Sequence, residues 1–399
     1  MHTYLNSAGV TCSLGENKAQ VLQALLSSTC SSPVLSDDYS PDKPVPLSPV
    51  STALPPIPTR FSSYTTRTNQ LLLAALDQIR IAIDHAISHY GRSRVAIIIG
   101  TTTSGIAEGE LAISHHRQHG SLPAGFSYKQ QQLSSTSEFI SKLLNTSGPV
   151  YAISTSCSSS SSAICSAQRL LANGLADAVV VGGSDALCQT TIQGFNSLGA
   201  ISKTFCNPFS RHRDGIMIGE GAAVFLMSRD PDMDKHGTPV CLLGTGMCSD
   251  AHHISAPDPT GVHARQAMQC ALQEANLGIN DIDYINLHGT GTVQNDRMES
   301  HAVHSLFGEQ TACSSTKPLT GHCLGASGAI ELALCWLLVS DHNQQGRLPS
   351  HIWDQQPDPL LAKINLLGDQ PPGIPPSIVM SNTYSFGGNN VSLIIGSRQ

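Results

Sequence analysis

Apolar residues recur along this chain in two rhythms, and the rhythms predict alternating strands and helices. Val95–Ile99 is an unbroken apolar run closed by Gly100, which suits a parallel strand buried on both faces. Val150–Ser154 and Ala178–Gly182 read the same way. Residues 66–90 carry helical spacing. Ala163, Ile164, Ala167, Leu170 and Leu171 form a helical stripe that Asn173-Gly174 closes as a C-cap. This alternation predicts an α/β protein, a sandwich or a doubly wound sheet. The Ser/Pro-rich stretch 31–58 predicts a loop or lid outside the core. The polar stretch Ser228–Gly237 predicts a link between halves at 1–229 and 238–399.

The halves repeat each other. "IIGTTT" (Ile98–Thr103) matches "LHGTGT" (Leu287–Thr292), with Gly100 opposite Gly289. "SAICSAQRLL" (Ser162–Leu171) matches "GAIELALCWL" (Gly328–Leu337), and "GAAVFLM" (Gly221–Met227) matches "GNNVSLI" (Gly388–Ile394). Three matches in one order predict a duplicated βα unit. In these registers Cys157 falls opposite Cys323, the neighbour of His322, and Ile99 falls opposite His288. All three candidate residues then sit where an apolar strand hands over to a Gly/Ser/Thr turn, at the carboxyl ends of parallel strands, where sites are built.

Composition narrows the class. The chain has 399 residues, 40% hydrophobic and 13% charged, ample for a large core. A formal net charge of -7 gives no basic field for nucleic acid. The twelve cysteines include no C-x-x-C pair and are scattered through apolar segments, so they read as free thiols of a reducing compartment. The N-terminus has no signal-peptide pattern and no apolar run spans a membrane. These features predict a soluble, cytoplasmic protein.

The candidate chemistry starts at "STSCSSSSSA", one cysteine among hydroxyl residues directly before the striped helix. Cys157 is placed in the first turn, where the helix end favours a thiolate and unpaired N–H groups can hold an oxyanion. The small serines would let a long substrate approach. Position alone favours a buried structural cysteine beside a serine-rich turn. His288 in "NLHGTGTVQND" reads as a strand-end imidazole with Thr290 and Thr292 beside it to grip a polar ligand arm, or as a satisfied core histidine. No P-loop lysine accompanies it. His322 in "STKPLTGHCLGASGAIE" lies between Lys317 and Glu331, which would pair in a chain this poor in charge. One cysteine and two histidines without a short ligand pair or a fourth ligand argue against zinc. Arg211, Arg213 and Asp214 read as a contact for an acidic partner or a solvated turn. Tyr384 and Phe386, on the Gly-rich turn of "SNTYSFGGNN", would gate an apolar tunnel.

These segments, with "GGSDA", "GFNSLGAIS" and "NPFSRHRDGIMIGEGAA", occur in order over roughly residues 90–395 and resemble the β-ketoacyl-acyl carrier protein synthases, the elongating condensing enzymes of thiolase fold. The resemblance implies a five-layer αβαβα sandwich of two thiolase-like halves. It implies decarboxylative Claisen condensation of malonyl-carrier with an acyl chain held on Cys157. His288 and His322 would polarise the malonyl thioester carbonyl, Lys317 and Glu331 would support that geometry, and the N–H groups of Cys157 and Phe386 would form the oxyanion hole. Tyr384 and Phe386 would form the gate, and Thr290 and Thr292 would bind the phosphopantetheine arm. No metal or resident cofactor is implied, because the substrate arm travels on the acyl carrier protein. The implied partners are that carrier and a second subunit, in a homodimer or a heterodimer with a related ketosynthase or chain-length factor. Departures occur at Asn207, where arginine is frequent, at Tyr384 for phenylalanine, and at Ser385 for glycine. With the 31–58 stretch they suggest a specialised type II fatty acid or polyketide system, such as aryl polyene assembly. The alternatives are a non-catalytic chain-length partner and a thiolase. The residues leave open the tautomer of each histidine, the chain length and the starter.

Overall fold

A computed structural model describes residues 2–27, 33–40, 44–234 and 239–397. The first half runs β1 (Thr3–Cys12), α1 (Lys18–Leu25), β2 (Val34–Ser36), β3 (Val45–Ser48), α2 (Arg67–Asp77), α3 (Arg80–Tyr90), β4 (Val95–Gly100), α4 (Ile106–His119), α5 (Ser135–Leu144), β5 (Val150–Ile153), α6 (Ser159–Ala172), β6 (Ala178–Asp185), α7 (Gln189–Ser197), β7 (Ile218–Gly219) and β8 (Gly221–Ser228). The second runs β9 (Val240–Ser249), α8 (Val262–Ala275), β10 (Tyr284–Asn286), α9 (Val293–Phe307), β11 (Ala312–Ser314), α10 (Lys317–Thr320), α11 (Ser327–Val339), β12 (Asn365–Leu366), β13 (Ile378–Tyr384) and β14 (Asn389–Ser397).

The strand order shows the duplication. In the first half it is β1-β8-β6-β4-β5, and in the second β9-β14-β13-β10-β11, with β12 added at the edge. Senses repeat too: β4 is parallel to β5 and β6, and β10 to β11 and β13, while β8 and β14 run antiparallel to their neighbours. The two sheets join through a short antiparallel contact in which Thr3, Tyr4 and Leu5 face Leu242, Cys241 and Val240.

Burial on both faces explains the apolar strands. Ala96 and Ile98 of β4 pack inward with α6 and α11, whereas Ile97 and Ile99 pack outward with α2, α3 and α5. A third cluster seats α8 and α9 on the outer face of the second sheet. The layers are therefore helices, sheet, α6 with α11, sheet, helices. Every residue of α11 is buried, so apart from Ser327 and Glu331 its sequence carries no polar face.

Two expectations change. The Ser/Pro-rich stretch is not wholly a loop: β3 pairs with β2 and β7, and its Val45 and Leu47 are buried in a small core of their own. Residues 31, 32 and 41–43 of that stretch, and 235–237 of the polar link, lie outside the described residues. The serines after Cys157 do not make room for substrate. Ser158 to Ser162 are buried between the layers, and a Cβ on Gly100 would overlap the backbone of Ser159 and Ser160. Small side chains let α6 lie close on the sheet, and their hydroxyls find partners. Ser160 Oγ accepts from Ala329 N–H (2.9 Å), and Ser161 Oγ bonds Thr383 Oγ1 (3.0 Å). Among the described residues no helix is long and apolar enough to cross a membrane.

Candidate active site

Cys157, His288 and His322 meet at the base of one cavity of about 500 Å³. Cys157 Sγ lies 3.1 Å from His322 Nε2, and the imidazoles of His288 and His322 stand edge to face with centroids 5.4 Å apart. All three are buried.

The backbone that presents them is strained. Cys157 follows Ser156, whose φ is +54°, and precedes Ser158, the N-cap of α6. The sulfur therefore stands just before the helix rather than in its first turn. His322 precedes Leu324, another non-glycine with positive φ (+51°), and is tied to Met217 through its N–H (2.6 Å) and to Gly219 through its C=O (3.1 Å). Such conformations cost about 1–3 kcal/mol each and persist only where the surroundings over-determine them.

The imidazole tautomers follow from their partners. Lys317 Nζ lies 3.2 Å from His288 Nδ1 and also contacts the His288 carbonyl and Glu331 Oε1. An ammonium has hydrogens and no lone pair, so Nδ1 accepts and the ring hydrogen sits on Nε2. In His322, Nδ1 accepts from Leu324 N–H (3.2 Å) and contacts Ser327 Oγ (2.9 Å), so its hydrogen also sits on Nε2. Burial, followed by the Lys317 ammonium, holds both rings well below the ordinary histidine range. Both rings are thus neutral N–H donors toward the sulfur's cavity.

The thiol departs from the reading based on the helix end. Burial pushes Cys157 up to about 11, although Lys317 and the N–H groups of Phe386 and Cys157 itself pull it down. Desolvation of a thiolate outweighs the partial charge of the helix end, and the resting group is a thiol.

The other candidates are placed as follows. Lys317 and Glu331 form a fully buried ion pair behind His288. Thr290 and Thr292 line the cavity and bond each other (2.9 Å). Phe386 sits half-buried at the cavity wall with its ring 5.5 Å from Phe195 of α7. Tyr384 is not on the turn: it ends β13, buried, with its ring edge against His288 at 5.9 Å. Arg213 is neither solvated nor free for a partner, because it is buried against Asp358 (2.7 Å) and Asp296 (3.9 Å). Asn207 accepts from Asp354 N–H (3.1 Å).

Three carboxylates escaped the sequence reading. Glu299 accepts from the N–H groups of His288 and Gly289 (2.7 Å each) and so shapes the loop that carries the imidazole. Burial pushes it up to about 8. Asp296 accepts from Phe209 and Gly291 N–H. Asp185 gathers Thr101, Thr102, Thr103 and Gly325, joining the end of β4 to the loop after His322. Their signals were present: "GGSDA" ends a strand, and Asp296 and Glu299 are spaced i, i+3 on a helix.

A buried sulfur and two neutral imidazoles, gathered in one cavity of a duplicated five-layer sandwich, fit a thiolase-like condensing-enzyme architecture. The chain belongs to the β-ketoacyl synthase family: the family's N-terminal domain matches residues 57–232 and its C-terminal domain residues 240–347. It is 34% identical to Nodulation protein E of Rhizobium meliloti over 264 residues, covering 64% of this chain and 63% of that protein. It is 33% identical to 3-oxoacyl-[acyl-carrier-protein] synthase 2 of Staphylococcus aureus, covering 63% of this chain and 64% of that one. These alignments span just under two thirds of both relatives. Among solved structures, the ketosynthase ApeO in complex with its chain length factor ApeC, from Xenorhabdus doucetiae, matches with a TM-score of 0.93 and 43% identity, covering 100% of this chain and 98% of the matched one. A β-ketoacyl synthase from Burkholderia phymatum matches with a TM-score of 0.88 and 26% identity, with both chains fully covered.

Proposed function

We propose that this chain is a catalytic ketosynthase rather than a chain-length partner. The observation that carries the reading is the convergence of Cys157 Sγ with two imidazoles that both present Nε2–H. An acyl group moves from its carrier thioester to the sulfur, and the Cys157 proton leaves with the carrier thiol. A malonyl thioester then enters with its carbonyl oxygen facing His288 and His322. Loss of CO₂ places negative charge on that oxygen, and two neutral donors stabilise it without giving up a proton. The enolate carbon attacks the acyl-cysteine carbonyl, whose oxygen meets the N–H groups of Cys157 and Phe386. Collapse releases the Cys157 sulfur, which takes up a proton, and leaves a β-ketoacyl chain two carbons longer on the carrier.

Lys317 holds the His288 tautomer and Glu331 balances the ammonium. Thr290 and Thr292 offer hydroxyls to the amides of a phosphopantetheine arm along the cavity, with Phe386 and Phe195 closing its wall. No resident cofactor enters this scheme. The edge strand β5, with Val150–Ile153 only half-buried, supports pairing with a second ketosynthase-type subunit. The setting proposed is a type II fatty acid or polyketide pathway in the cytoplasm, with 1–229 and 238–399 as the two halves.

The test is mass spectrometry of Cys157 after incubation with acyl-carrier, followed by malonyl-carrier. An acyl adduct at Cys157, then CO₂ and a β-ketoacyl product, all abolished by Cys157→Ala, is the expected result. A wild-type chain that takes no acyl group and supports condensation only when paired with another synthase is a chain-length partner. Saturated and polyunsaturated acyl-carriers compared side by side test the polyene pathway, and preference for saturated chains refutes it.

A further inference from the structure

His351 plays no part in the chemistry above, yet it is built into the frame that holds it. It lies in the segment between α11 and β12, 5% exposed, with Phe209 and Trp353 against its ring at 5.8 and 5.6 Å. A histidine among rings loses its hydration, and it is tolerated only if both nitrogens are paired. They are. Nδ1 accepts from Ser315 N–H (3.1 Å), so the hydrogen sits on Nε2, which donates to the Pro208 carbonyl (3.0 Å).

Each partner belongs to a segment that touches the site. Ser315 Oγ donates to the Gly289 carbonyl (2.7 Å), next to His288, and accepts from Lys317 N–H (3.3 Å). One serine thus links the imidazole's loop to the lysine that fixes its tautomer. Pro208 leads into Phe209, a non-glycine at φ +62° whose N–H is held by Asp296. Gly289 is wedged above both: a Cβ there would meet Ser315 Cβ at 2.5 Å and Phe209 at 3.0 Å. The ring of His351 therefore clamps two backbone segments that both pack against Gly289, the residue after His288. The segment is itself anchored, by His351 N–H to the Leu367 carbonyl (2.7 Å) and Arg211 N–H to the Gln356 carbonyl (2.9 Å).

We infer that His351 is a positioning residue for the decarboxylation step, acting through Ser315 on the relative placement of His288 and Lys317. The inference rests on the proposed ketosynthase activity. It does not extend to Cys157, whose sulfur is presented by a different turn, so the two half-reactions respond differently.

The experiment measures both half-reactions in the full chain: acyl transfer to Cys157 by mass spectrometry, and CO₂ release from malonyl-carrier. His351→Leu keeps apolar bulk and removes both hydrogen bonds. Its decarboxylation kcat is expected to fall about 10–100-fold, the scale on which a misplacement of up to about 1 Å by a mutation away from the chemistry costs rate. KM and the rate of Cys157 acylation are expected to stay within about twofold of wild type. His351→Asn, whose carbonyl can still accept from Ser315, is expected to recover most of the loss. Ser315→Ala breaks the same link from its other end and is expected to give the same split, should the leucine variant fold poorly. Equal decarboxylation in wild type, His351→Leu and Ser315→Ala overturns the inference. So does a fall of both half-reactions in proportion to lost folded protein, with no recovery by asparagine. A wild type that releases no CO₂, indistinguishable from His288→Ala, refutes the ketosynthase reading itself and the inference with it.

Discussion

Replacing Lys317 by methionine separates what the buried ion pair does for stability from what it does for chemistry. Lys317 and Glu331 are 1% and 2% exposed. Glu331 Oε2 has no hydrogen-bond partner, so the ammonium is the carboxylate's principal compensation. Removing one member of a buried pair costs about 3–5 kcal/mol, because the other is left as an uncompensated charge. The carboxyl can escape by taking a proton. Burial already pushes Glu331 up while Lys317 pulls it down, so without the lysine it rises further. A carboxyl with a raised folded-state pKa destabilises progressively as pH climbs above its unfolded value of about 4.3. The Lys317→Met deficit should therefore be smallest near pH 5 and larger at pH 8, measured by urea denaturation at both. Adding Glu331→Leu removes the stranded group and should restore most of the stability. It cannot restore the donor on His288 Nδ1. Decarboxylation of malonyl-carrier should stay down about 10–100-fold in both variants, because the imidazole loses its fixed tautomer and placement. A double variant that regains full decarboxylation, or a Lys317→Met chain as stable as wild type at pH 8, refutes the reasoning.

Four further outcomes follow from the same geometry. Iodoacetamide alkylation of Cys157 should accelerate about tenfold per pH unit through pH 9, given a thiol near 11, whereas a plateau near neutrality would show that the helix end outweighs burial. Asp185→Ala strips acceptors from Thr101, Thr102, Thr103 and Gly325. It should cost about 3 kcal/mol or more in chemical denaturation, and an unchanged midpoint would contradict the network. Gly100→Ala forces a Cβ into the backbone of Ser159 and Ser160, so a loss of about 1–3 kcal/mol is expected, and none would mean α6 can shift freely. Thr290→Val should raise KM for carrier-bound substrate about two- to tenfold, with the Cys157 alkylation rate unchanged. Equal KM would remove that hydroxyl from arm binding.

Much of this fold could be read in the chain because its signals are local. A strand buried on both faces must be continuously apolar, and β4 and β6 are such strands where Val95–Ile99 and Ala178–Gly182 predicted them. Val150–Ile153 also forms a strand, β5, but at the sheet edge and only half-buried, because its apolar run faces no further strand among the described residues. The repeated motifs occupy equivalent strands and helices of the two sheets. Cys157 and His288 stood out because each lies just past a strand end among small residues, whereas His322, expected at a strand end, follows the short helix α10 and is held by backbone bonds to Met217 and Gly219. The role of the serines was misread because α6 looks like a surface helix with one apolar stripe, and only the second sheet and α11 give its other face something to pack on. Asp185 ends β6 and Glu299 lies on α9, positions visible in the chain. Their partners, the Thr101 hydroxyl and the N–H groups of Thr102, Thr103, Gly325, His288 and Gly289, are brought to them by the fold and not by any spacing.

What the residues alone determined is three parallel strands, the helices over 66–90 and after Cys157, the duplication and the types of reactive group available, all of which are read from short local patterns. What only the tertiary structure decided is the chemical state of those groups. Cys157 and His322 are 165 positions apart in sequence yet 3.1 Å apart in space. Which imidazole nitrogen carries hydrogen, and whether the sulfur rests as thiol or thiolate, is fixed by desolvation and by donors brought from far along the chain. Those are energies of the packed interior, and they do not exist until both sheets close around it.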